Sequence, residues 1–222
     1  MLQILIYDTD AQVFESFERK PEETMPYLPE GSMTAGDFRG SSRSSLLWTT
    51  REFLETFRRF WEQAGVPIRV CEAFRRIWEG GFSSQSYHYA GLALDFGRNL
   101  NAGELAALTG LAQASGLWNQ VFVVPNSGDA IHAARYYGEP ASLCSSYPEL
   151  SRGSRGTYVL VLQDGLNYLG YYTGGVDGVF GEQTENAVRR FQQNTGLSPD
   201  AVAGRRTWAR LTDLVLGSRD LH

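Results

Sequence analysis

Ser86-Tyr87-His88-Tyr89-Ala90-Gly91-Leu92-Ala93-Leu94-Asp95 is the most informative stretch of the chain, and Asp129-Ala130-Ile131-His132 follows it further along. The sequence has three histidines, and these two segments contain both internal ones. From Leu92 to Phe96, larger apolar side chains alternate with Ala93 and Asp95. This alternation predicts a half-buried strand with Asp95 on the face opposite the leucines. Gly91 permits a bend that lets His88 fold back toward Asp95.

The side chains of His88, Asp95 and His132 are of the types that bind catalytic zinc. Zinc in hydrolases takes three protein ligands from histidine and carboxylate and leaves a fourth position for water, whose pKa falls to about 7. We therefore expect one Zn2+ per chain, held by these three residues. A cysteine nucleophile is the weaker alternative, because Cys71 and Cys144 have no histidine close in sequence. A Gly-x-Ser-x-Gly nucleophile motif is also absent from the sequence.

The order of these residues resembles that of a known enzyme family. The pattern Ser-x-His-x-x-Gly-x-Ala-x-Asp, the later Asp-x-x-His, and an upstream arginine in Glu72-Ala73-Phe74-Arg75 are similar to the zinc D-alanyl-D-alanine carboxypeptidases and dipeptidases, relatives of the hedgehog-type fold. The resemblance implies that His88, Asp95 and His132 are the zinc ligands. The family often continues the last motif as His-x-Asp, whereas this chain has His132-Ala133-Ala134, which removes an acid beside the expected ligand.

The resemblance also implies catalytic roles for three further residues. Asp129 would be the general base that deprotonates the attacking water, and Arg75 would stabilise the oxyanion and orient the substrate. Ser86 would contact the substrate through its hydroxyl. Each residue has a plainer interpretation: Asp129 follows the turn-like run 126–128, Arg75 has the neighbouring cation Arg76 as a competitor, and Ser86 lies in a serine-rich loop.

The C-terminal third has a second dense pattern. Apolar residues recur at helical spacing in two runs, and both runs precede Trp208 and Leu211. The runs are Val159, Leu162, Leu166 and Leu169, and then Thr184, Ala187, Val188 and Phe191. Together with Asp177-Gly178 and Phe180-Gly181, these residues resemble the small helical peptidoglycan-binding repeat. We expect a three-helix peptidoglycan-binding domain at 156–215; the alternative is a helical dimerisation or packing module.

Composition limits the classes of partner. The 222-residue chain is 42% hydrophobic and 20% charged, with a net charge of -5, as expected for an ordinary globular protein. The negative charge argues against nucleic-acid binding and means that recognition of an anionic wall polymer must be local. No apolar run approaches the ~20 residues needed to span a membrane. We expect a monomer that is secreted or associated with the cell wall, although no signal peptide is visible and Met1 to Asp8 is typical of a first strand.

The remaining patterns predict an α+β fold: a zinc D,D-peptidase-like domain at 1–150, followed by the small helical domain. Thr49 and Glu52 resemble a capping box for a helix that Gly65 ends, and Asn101 and Glu104 begin another that ends at Gly116. Short strands are expected at 68–70 and 121–124. Pro21 to Gly40 is expected to be an extended loop, and Ser145 to Thr157 a linker. Cys71 and Cys144 are either paired or free.

The combined expectation is hydrolysis of a peptidoglycan stem-peptide amide, with the D-Ala-D-Ala bond as the favoured substrate. Two alternatives stay open at this point. The enzyme could instead be an endopeptidase that cuts the L-Ala to D-Glu amide with the same zinc chemistry. The protein could also bind the wall without enzymatic activity, because it has Ala134 where the resembled enzymes often have an acid.

Overall fold

The computed structural model describes residues 1–125, 129–141, 143 and 145–217. These residues form a mixed α+β chain with two compact units. The first unit comprises residues 1–75 and 91–136, and the second comprises residues 76–90 and the described part of 137–222. Within the described ranges, no helix is both long and apolar enough to cross a membrane.

The first unit contains two sheets. In the three-stranded sheet, β1 (Leu2–Asp8) lies between β2 (Val13–Arg19), to which it is antiparallel, and β3 (Leu46–Thr50), to which it is parallel. The strands of the second sheet are β4 (Val70–Glu72), β5 (Ala93–Phe96), β6 (Gln120–Val124) and β7 (Ala130–Ala134). This sheet is antiparallel and has the order β4-β5-β7-β6. The strands expected at the N-terminus and near 121–124 are thus confirmed, whereas the strand expected at 68–70 begins at Val70.

Two helices of this unit form where the sequence predicted them, although the N-cap of the first differs by one residue. Helix α2 (Arg51–Ala64) ends at Gly65, which has the left-handed φ of 61°. Its N-cap is Thr50 rather than Thr49, because the Thr50 side chain accepts a hydrogen bond from the backbone N–H of Phe53. Helix α3 (Ala102–Ala114) has the expected capping box of Asn101 and Glu104.

The segment from Pro21 to Gly40 is not simply an extended loop, and this expectation was wrong. It contains the short helix α1 (Ala35–Arg39), capped by Thr34 and Asp37. The almost completely buried apolar residues of this segment include Met25, Met33, Ala35 and Phe38. The sequence did not indicate that these apolar residues would be buried, because the neighbouring prolines and acidic residues are strong local signals for a loop.

The second unit contains the three expected helices. They are α4 (Thr157–Tyr168), α5 (Glu182–Asn194) and α6 (Arg205–Gly217). Trp208 and Leu211 are fully buried in this unit, as predicted from the helical spacing. The indole Nε1 of Trp208 donates a hydrogen bond to the Pro148 carbonyl over 2.8 Å.

That hydrogen bond shows that Ser145 to Thr157 does not behave as a linker. Tyr147 is fully buried, and its ring centroid lies 4.9 Å from that of Trp208 in an edge-on arrangement. Tyr147 therefore belongs to the core beside α6. The linker prediction was wrong because serine, proline and glycine in this stretch are local turn signals, while the partner of Tyr147 lies far along the chain.

Residues 76–90 also belong to this second unit, although the predicted division placed them in the 1–150 domain. The guanidinium of Arg76 forms a two-point ion pair with Asp164 of α4, with Nε 2.8 Å from Oδ2. Burial raises the pKa of the Asp164 carboxyl, and Arg76 opposes that shift. The Trp78 ring stacks on Tyr168 at a centroid distance of 6.4 Å. Charge pairing and ring stacking thus fix this segment onto α4.

A buried glutamine organises the connection between α4 and α5. The amide nitrogen of Gln163 donates to Asp177 Oδ1 at 2.8 Å, to the Val179 carbonyl at 3.1 Å and to Thr184 Oγ1 at 3.0 Å. Its amide oxygen accepts from the backbone N–H groups of Asp177 and Gly178. One buried side chain therefore hydrogen-bonds several polar groups of the turn that precedes α5.

Gln192 does the same for the connection between α5 and α6. Its amide nitrogen donates to Asp200 Oδ1 at 2.7 Å, to the Val202 carbonyl at 3.0 Å and to Thr207 Oγ1 at 3.0 Å. Its amide oxygen accepts from the Ala201 N–H at 2.8 Å. The helical module is therefore built from two copies of one helix–turn–helix arrangement that share α5.

We predict that Gln192→Ala lowers the free energy of unfolding of this module by about 2–4 kcal/mol, since several buried polar groups lose their partner together. Urea unfolding followed by tryptophan fluorescence would measure the loss. The neighbouring exposed amide Gln193 is the matched control, and Gln193→Ala should change stability by less than about 0.5 kcal/mol. Equal stability of the two variants would contradict the role assigned to Gln192.

Candidate metal centre

The register of the second sheet places Asp95 directly opposite His132. Strands β5 and β7 pair so that Asp95 faces His132 and Ala93 faces Ala134. Residues opposite each other in an antiparallel pair project from the same face. Accordingly, His132 Nδ1 lies 2.9 Å from Asp95 Oδ1, and both residues are buried, with exposed fractions of 8% and 7%.

The same row extends across the whole sheet. On β4, Glu72 lies in register with Asp95, and on β6, Phe122 lies in register with His132. The Phe122 ring is 4.7 Å from the His132 ring and is 48% exposed. Sequence reasoning missed Phe122, because its position beside His132 is set by the pairing of β6 with β7. The row therefore joins an acid, the two predicted ligands and an exposed aromatic ring.

His88 lies on a loop whose conformation is fixed by residues of the second unit. The imidazole is 2% exposed and stacks almost parallel on the Phe82 ring, with 4.0 Å between centroids. The Tyr147 hydroxyl donates to the Ser86 carbonyl at 2.6 Å. Burial raises the pKa of Tyr147 well above its usual value, which keeps this hydroxyl protonated as a donor. His88 thus has a defined position rather than that of a mobile loop residue.

His88, Asp95 and His132 come together in the structure. One candidate ligand atom from each lies within 4.8 Å of the others, and all three residues are buried. Ligand atoms bound tetrahedrally at about 2.1 Å from zinc are about 3.4 Å apart, so small side-chain rotations would close the set around an ion. Two imidazoles and one carboxylate also match the donor types of catalytic zinc sites. The donor set and its burial fit a zinc ion.

The other predicted site residues lie outside this group. Arg75 donates to Glu72 Oε2 at 3.0 Å and also hydrogen-bonds the hydroxyl of Ser41, so its guanidinium is held next to the acid that lies in register with Asp95. Glu72 also accepts from the Ser41 hydroxyl at 2.6 Å. Because Glu72 is already bonded to Arg75 and Ser41, it holds the arginine in place and is a poor candidate for the general base.

Asp129 directly precedes β7 and is exposed, with a left-handed φ of 53°. Aspartate and asparagine tolerate this conformation better than most residues do. The preceding turn residues 126–128 lie outside the described residues, as do Cys144 and His222. Ser86 contributes its carbonyl to Tyr147, and its hydroxyl oxygen lies 3.4 Å from the His88 backbone nitrogen.

Ala134, at the position where the zinc D-alanyl-D-alanine carboxypeptidases that the motif resembles often have an acid, is fully buried. It lies in register with Ala93 on one side and Gln120 on the other. The face beside His132 therefore has a methyl group where a carboxylate could have oriented the imidazole.

The described cysteine, Cys71, is a free thiol that contacts the Arg69 carbonyl.

Gly91 forms the bend between the His88 loop and β5. Its φ is +67°, and a Cβ at this position would lie 1.9 Å from the Trp48 carbonyl oxygen. The Gly91 carbonyl in turn accepts a 2.6 Å hydrogen bond from Thr49 Oγ1, which explains why Thr49 is buried rather than capping α2. The bend predicted at Gly91 is confirmed, and the close approach of β3 requires it to be glycine.

We predict that Gly91→Ala lowers the free energy of unfolding by more than about 3 kcal/mol, because backbone strain and a backbone clash add together. Gly116→Ala is the matched control, since Gly116 has a similar φ of +65° but no atom within 4 Å of the added Cβ. The control should cost about 1 kcal/mol. Thermal unfolding by calorimetry distinguishes the two, and equal losses would contradict the crowding at Gly91.

Comparison with known proteins identifies the second unit. Residues 155–211 match the family model described as a putative peptidoglycan binding domain. The chain is thus a mixed α+β protein with a peptidoglycan-binding domain, as the helical pattern predicted. A protein of Kitasatospora aureofaciens, described as an uncharacterized protein in the bpoA1 3' region, is 42% identical over 95 residues, which are 40% of this chain and 77% of that protein. The chain belongs to the same family as that protein.

Other relatives are similar over shorter stretches. The spore cortex-lytic enzyme of Bacillus cereus is 50% identical over 58 residues, which are 26% of this chain and 22% of the enzyme. The N-acetylmuramoyl-L-alanine amidase CwlM of Mycobacterium tuberculosis is 48% identical over 52 residues, which are 23% of this chain and 13% of the amidase. The crystal structure of the SleB N-terminal domain is 44% identical and covers 32% of this chain and 96% of its own, with a TM-score of 0.31. The chain thus spans about a fifth or less of these two enzymes.

Proposed function

We propose that this protein is a zinc-dependent peptidoglycan hydrolase that binds the cell wall through residues 155–211. The observation that carries the proposal is the convergence of His88, Asp95 and His132 in a chain that also has a peptidoglycan-binding domain. Cortex-lytic enzymes and amidases among the similar proteins support a wall polymer as the substrate class. A binding domain beside a hydrolytic site raises the local concentration of an insoluble substrate.

In this proposal, His88, Asp95 and His132 hold the zinc ion. When bound, zinc acts as a Lewis acid and lowers the pKa of a water molecule to about 7. Asp129 takes a proton from the attacking water and passes it to the leaving amine; its exposed position before β7 leaves the carboxylate accessible. The Arg75 guanidinium, held by Glu72 and Ser41, stabilises negative charge on the carbonyl oxygen.

The favoured scissile bond is the terminal D-Ala-D-Ala amide of the stem peptide. A carboxypeptidase must hold the free carboxylate at the end of its substrate, and arginine with a serine hydroxyl is well suited to that through charge-assisted hydrogen bonds. Arg75 and Ser86 supply these groups. The matched cortex-lytic enzymes and amidase share about a quarter of this chain, so their own cleavage sites do not decide the bond.

A second candidate function is wall binding without hydrolysis. The buried Ala134 in place of the family's usual acid favours it, because carboxylates beside a ligand histidine increase metal affinity and activity. This protein would bind zinc and peptidoglycan but would release no product from either polymer or peptide.

We predict that the purified protein contains about one zinc per chain and that His88→Ala loses most of it, because two remaining ligands hold the ion weakly. Elemental analysis after dialysis against metal-free buffer gives the stoichiometry without reference to activity. His222→Ala is the control, since it removes the third histidine of the chain and should keep the metal. Equal zinc in the wild type and His88→Ala would rule out the proposed ligand set.

We further predict that the zinc-loaded protein releases free D-Ala from an uncrosslinked pentapeptide muropeptide, which lowers its mass by one alanine. Asp129→Asn should keep zinc and lose about 10²-fold or more in turnover, because a general base contributes that much. Asparagine is preferred to alanine here because it tolerates the left-handed conformation of Asp129. Mass spectrometry reads both outcomes.

Three other results would revise the proposal in different ways. Release of a peptide that begins with D-Glu would keep the zinc chemistry but assign the L-Ala to D-Glu bond instead. Full activity of Asp129→Asn would remove Asp129 from the role of base. A zinc-loaded protein that leaves every muropeptide intact would establish the wall-binding function.

A further inference from the structure

The repeated architecture of the helical module allows its two halves to be compared with each other. An offset of 23 residues relates the turn and second helix of the first copy to those of the second, as from Asp177 to Asp200 and from Thr184 to Thr207, whereas Gln163 and Gln192 are 29 residues apart. The buried glutamine networks match in the two copies, except that Gln163 also accepts from the Asp177 N–H. Features common to both halves are therefore required by the fold, whereas surface features found in one half are candidates for function.

Each copy has a groove along the exposed side of its second helix. The groove on α5, here called the α5 groove, has a volume of about 530 Å³. It is lined by Tyr172, Gln183, Asn186, Arg189, Arg190 and Gln193. The groove on α6, here called the α6 groove, includes the residues at the equivalent positions of the second copy. These are Arg206, Ala209, Thr212, Asp213 and Leu216.

The chemistry of the two grooves differs most at the position of Arg190. Its equivalent in the α6 groove is Asp213, which forms an ion pair with Arg210 at 3.1 Å. In the α5 groove, Arg190 is exposed and its guanidinium lies 3.4 Å from the Tyr172 carbonyl oxygen. Among the described residues, no acidic side chain forms an ion pair with Arg190. The α5 groove therefore has a positive charge available where the α6 groove has a compensated acid.

The other side chains of the α5 groove are of types that can bind a peptide attached to a sugar. Tyr172 is 67% exposed, a large apolar ring that the fold leaves uncovered. Gln183 and Gln193 supply amide donors and acceptors for a peptide backbone, and Asn186, whose Oδ1 accepts from Arg189, supplies a further donor. Arg189 is held by Glu185 at 2.7 Å, which leaves Arg190 as the cation free of an acidic partner in this groove. An exposed aromatic ring, amides and an unneutralised arginine together are suited to an anionic peptide.

The net negative charge of the chain makes a local cation in the α5 groove important for binding an anionic polymer. The whole chain has a net charge of -5, so long-range attraction to an anionic polymer is unfavourable. Binding to stem peptides, which contain free carboxylates, must therefore come from a local cation that can form directed hydrogen bonds. The planar guanidinium of arginine presents its N–H donors in a fixed arrangement that matches a carboxylate, whereas a diffuse positive surface does not.

We propose that the α5 groove, rather than its structural equivalent on α6, binds the anionic stem peptide of peptidoglycan. Arg190 holds a stem-peptide carboxylate, and Tyr172 packs against the adjacent sugar or alanine methyl groups. This proposal rests on the proposed wall-binding function and specifies the face of the domain that performs it.

The test uses the full chain, with a chelator present so that the substrate stays intact. Sedimentation with purified peptidoglycan over a range of concentrations gives the half-saturation point. Arg190→Gln and Tyr172→Ala should each raise it about tenfold, as expected when a charge-assisted bond or a packed ring is lost. Arg206→Gln in the α6 groove is the matched control, since it removes the same charge from an exposed position of the same module. It should change the half-saturation point less than twofold.

Soluble probes identify the part of the polymer that is recognised. A disaccharide-tetrapeptide muropeptide should bind the wild type and lose affinity for Arg190→Gln, whereas uncharged chitotetraose should bind weakly and equally to both. Thermal unfolding should be the same for all three variants, which confirms that the surface changes leave the fold intact.

Each contrary outcome has a distinct meaning. Wild-type affinity in Arg190→Gln and Tyr172→Ala, with the wall still bound, would overturn the groove assignment and leave wall binding in place. Weaker binding by Arg206→Gln alone would transfer the site to the α6 groove. Tight binding of chitotetraose would replace the stem peptide by the glycan. A wild-type protein that stays in the supernatant would refute the wall-binding function itself.

Discussion

The antiparallel register of β5 and β7 is the constraint on which the candidate metal centre depends. Side chains of a strand alternate between its faces, so a shift of one residue would place Ile131 or Ala133, rather than His132, opposite Asp95. The observed register aligns Glu72, Asp95, His132 and Phe122 across four strands. Two predicted ligands, the acid that holds Arg75, and an aromatic ring are therefore placed by backbone pairing before any ligand is bound.

The third predicted ligand, His88, depends on a different part of the chain. The loop that carries His88 is held by the Phe82 ring and by the Tyr147 hydroxyl, and Tyr147 packs against Trp208 of the peptidoglycan-binding domain. The His88 loop, Tyr147 and Trp208 thus pack together within the second unit. The fold of the peptidoglycan-binding domain is a duplication in which Gln163 and Gln192 satisfy two equivalent turns, and only the surfaces of the two copies differ in charge.

Much of this could be predicted from the sequence because the signals were local. The motif around Gly91, the end of α2 at Gly65, the capping box of α3, and the spacing of apolar residues in α4 and α5 each lie within a dozen or so residues. The errors arose where the decisive partner is distant. Tyr147 is buried by residues some sixty positions away, and Arg76, considered only as a competitor of Arg75, forms an ion pair with Asp164. Phe122 was missed because its role is visible only in the strand register.

The most direct measurement of the central claim is anomalous diffraction at the zinc edge from crystals grown with zinc. The account predicts a single peak about 2.0–2.2 Å from one nitrogen each of His88 and His132 and from an oxygen of Asp95. Its height should fall to background in crystals of the His132→Ala variant. A peak at other residues, or no peak while the 2.9 Å contact between His132 and Asp95 persists, would contradict the assignment of this cluster as a metal centre.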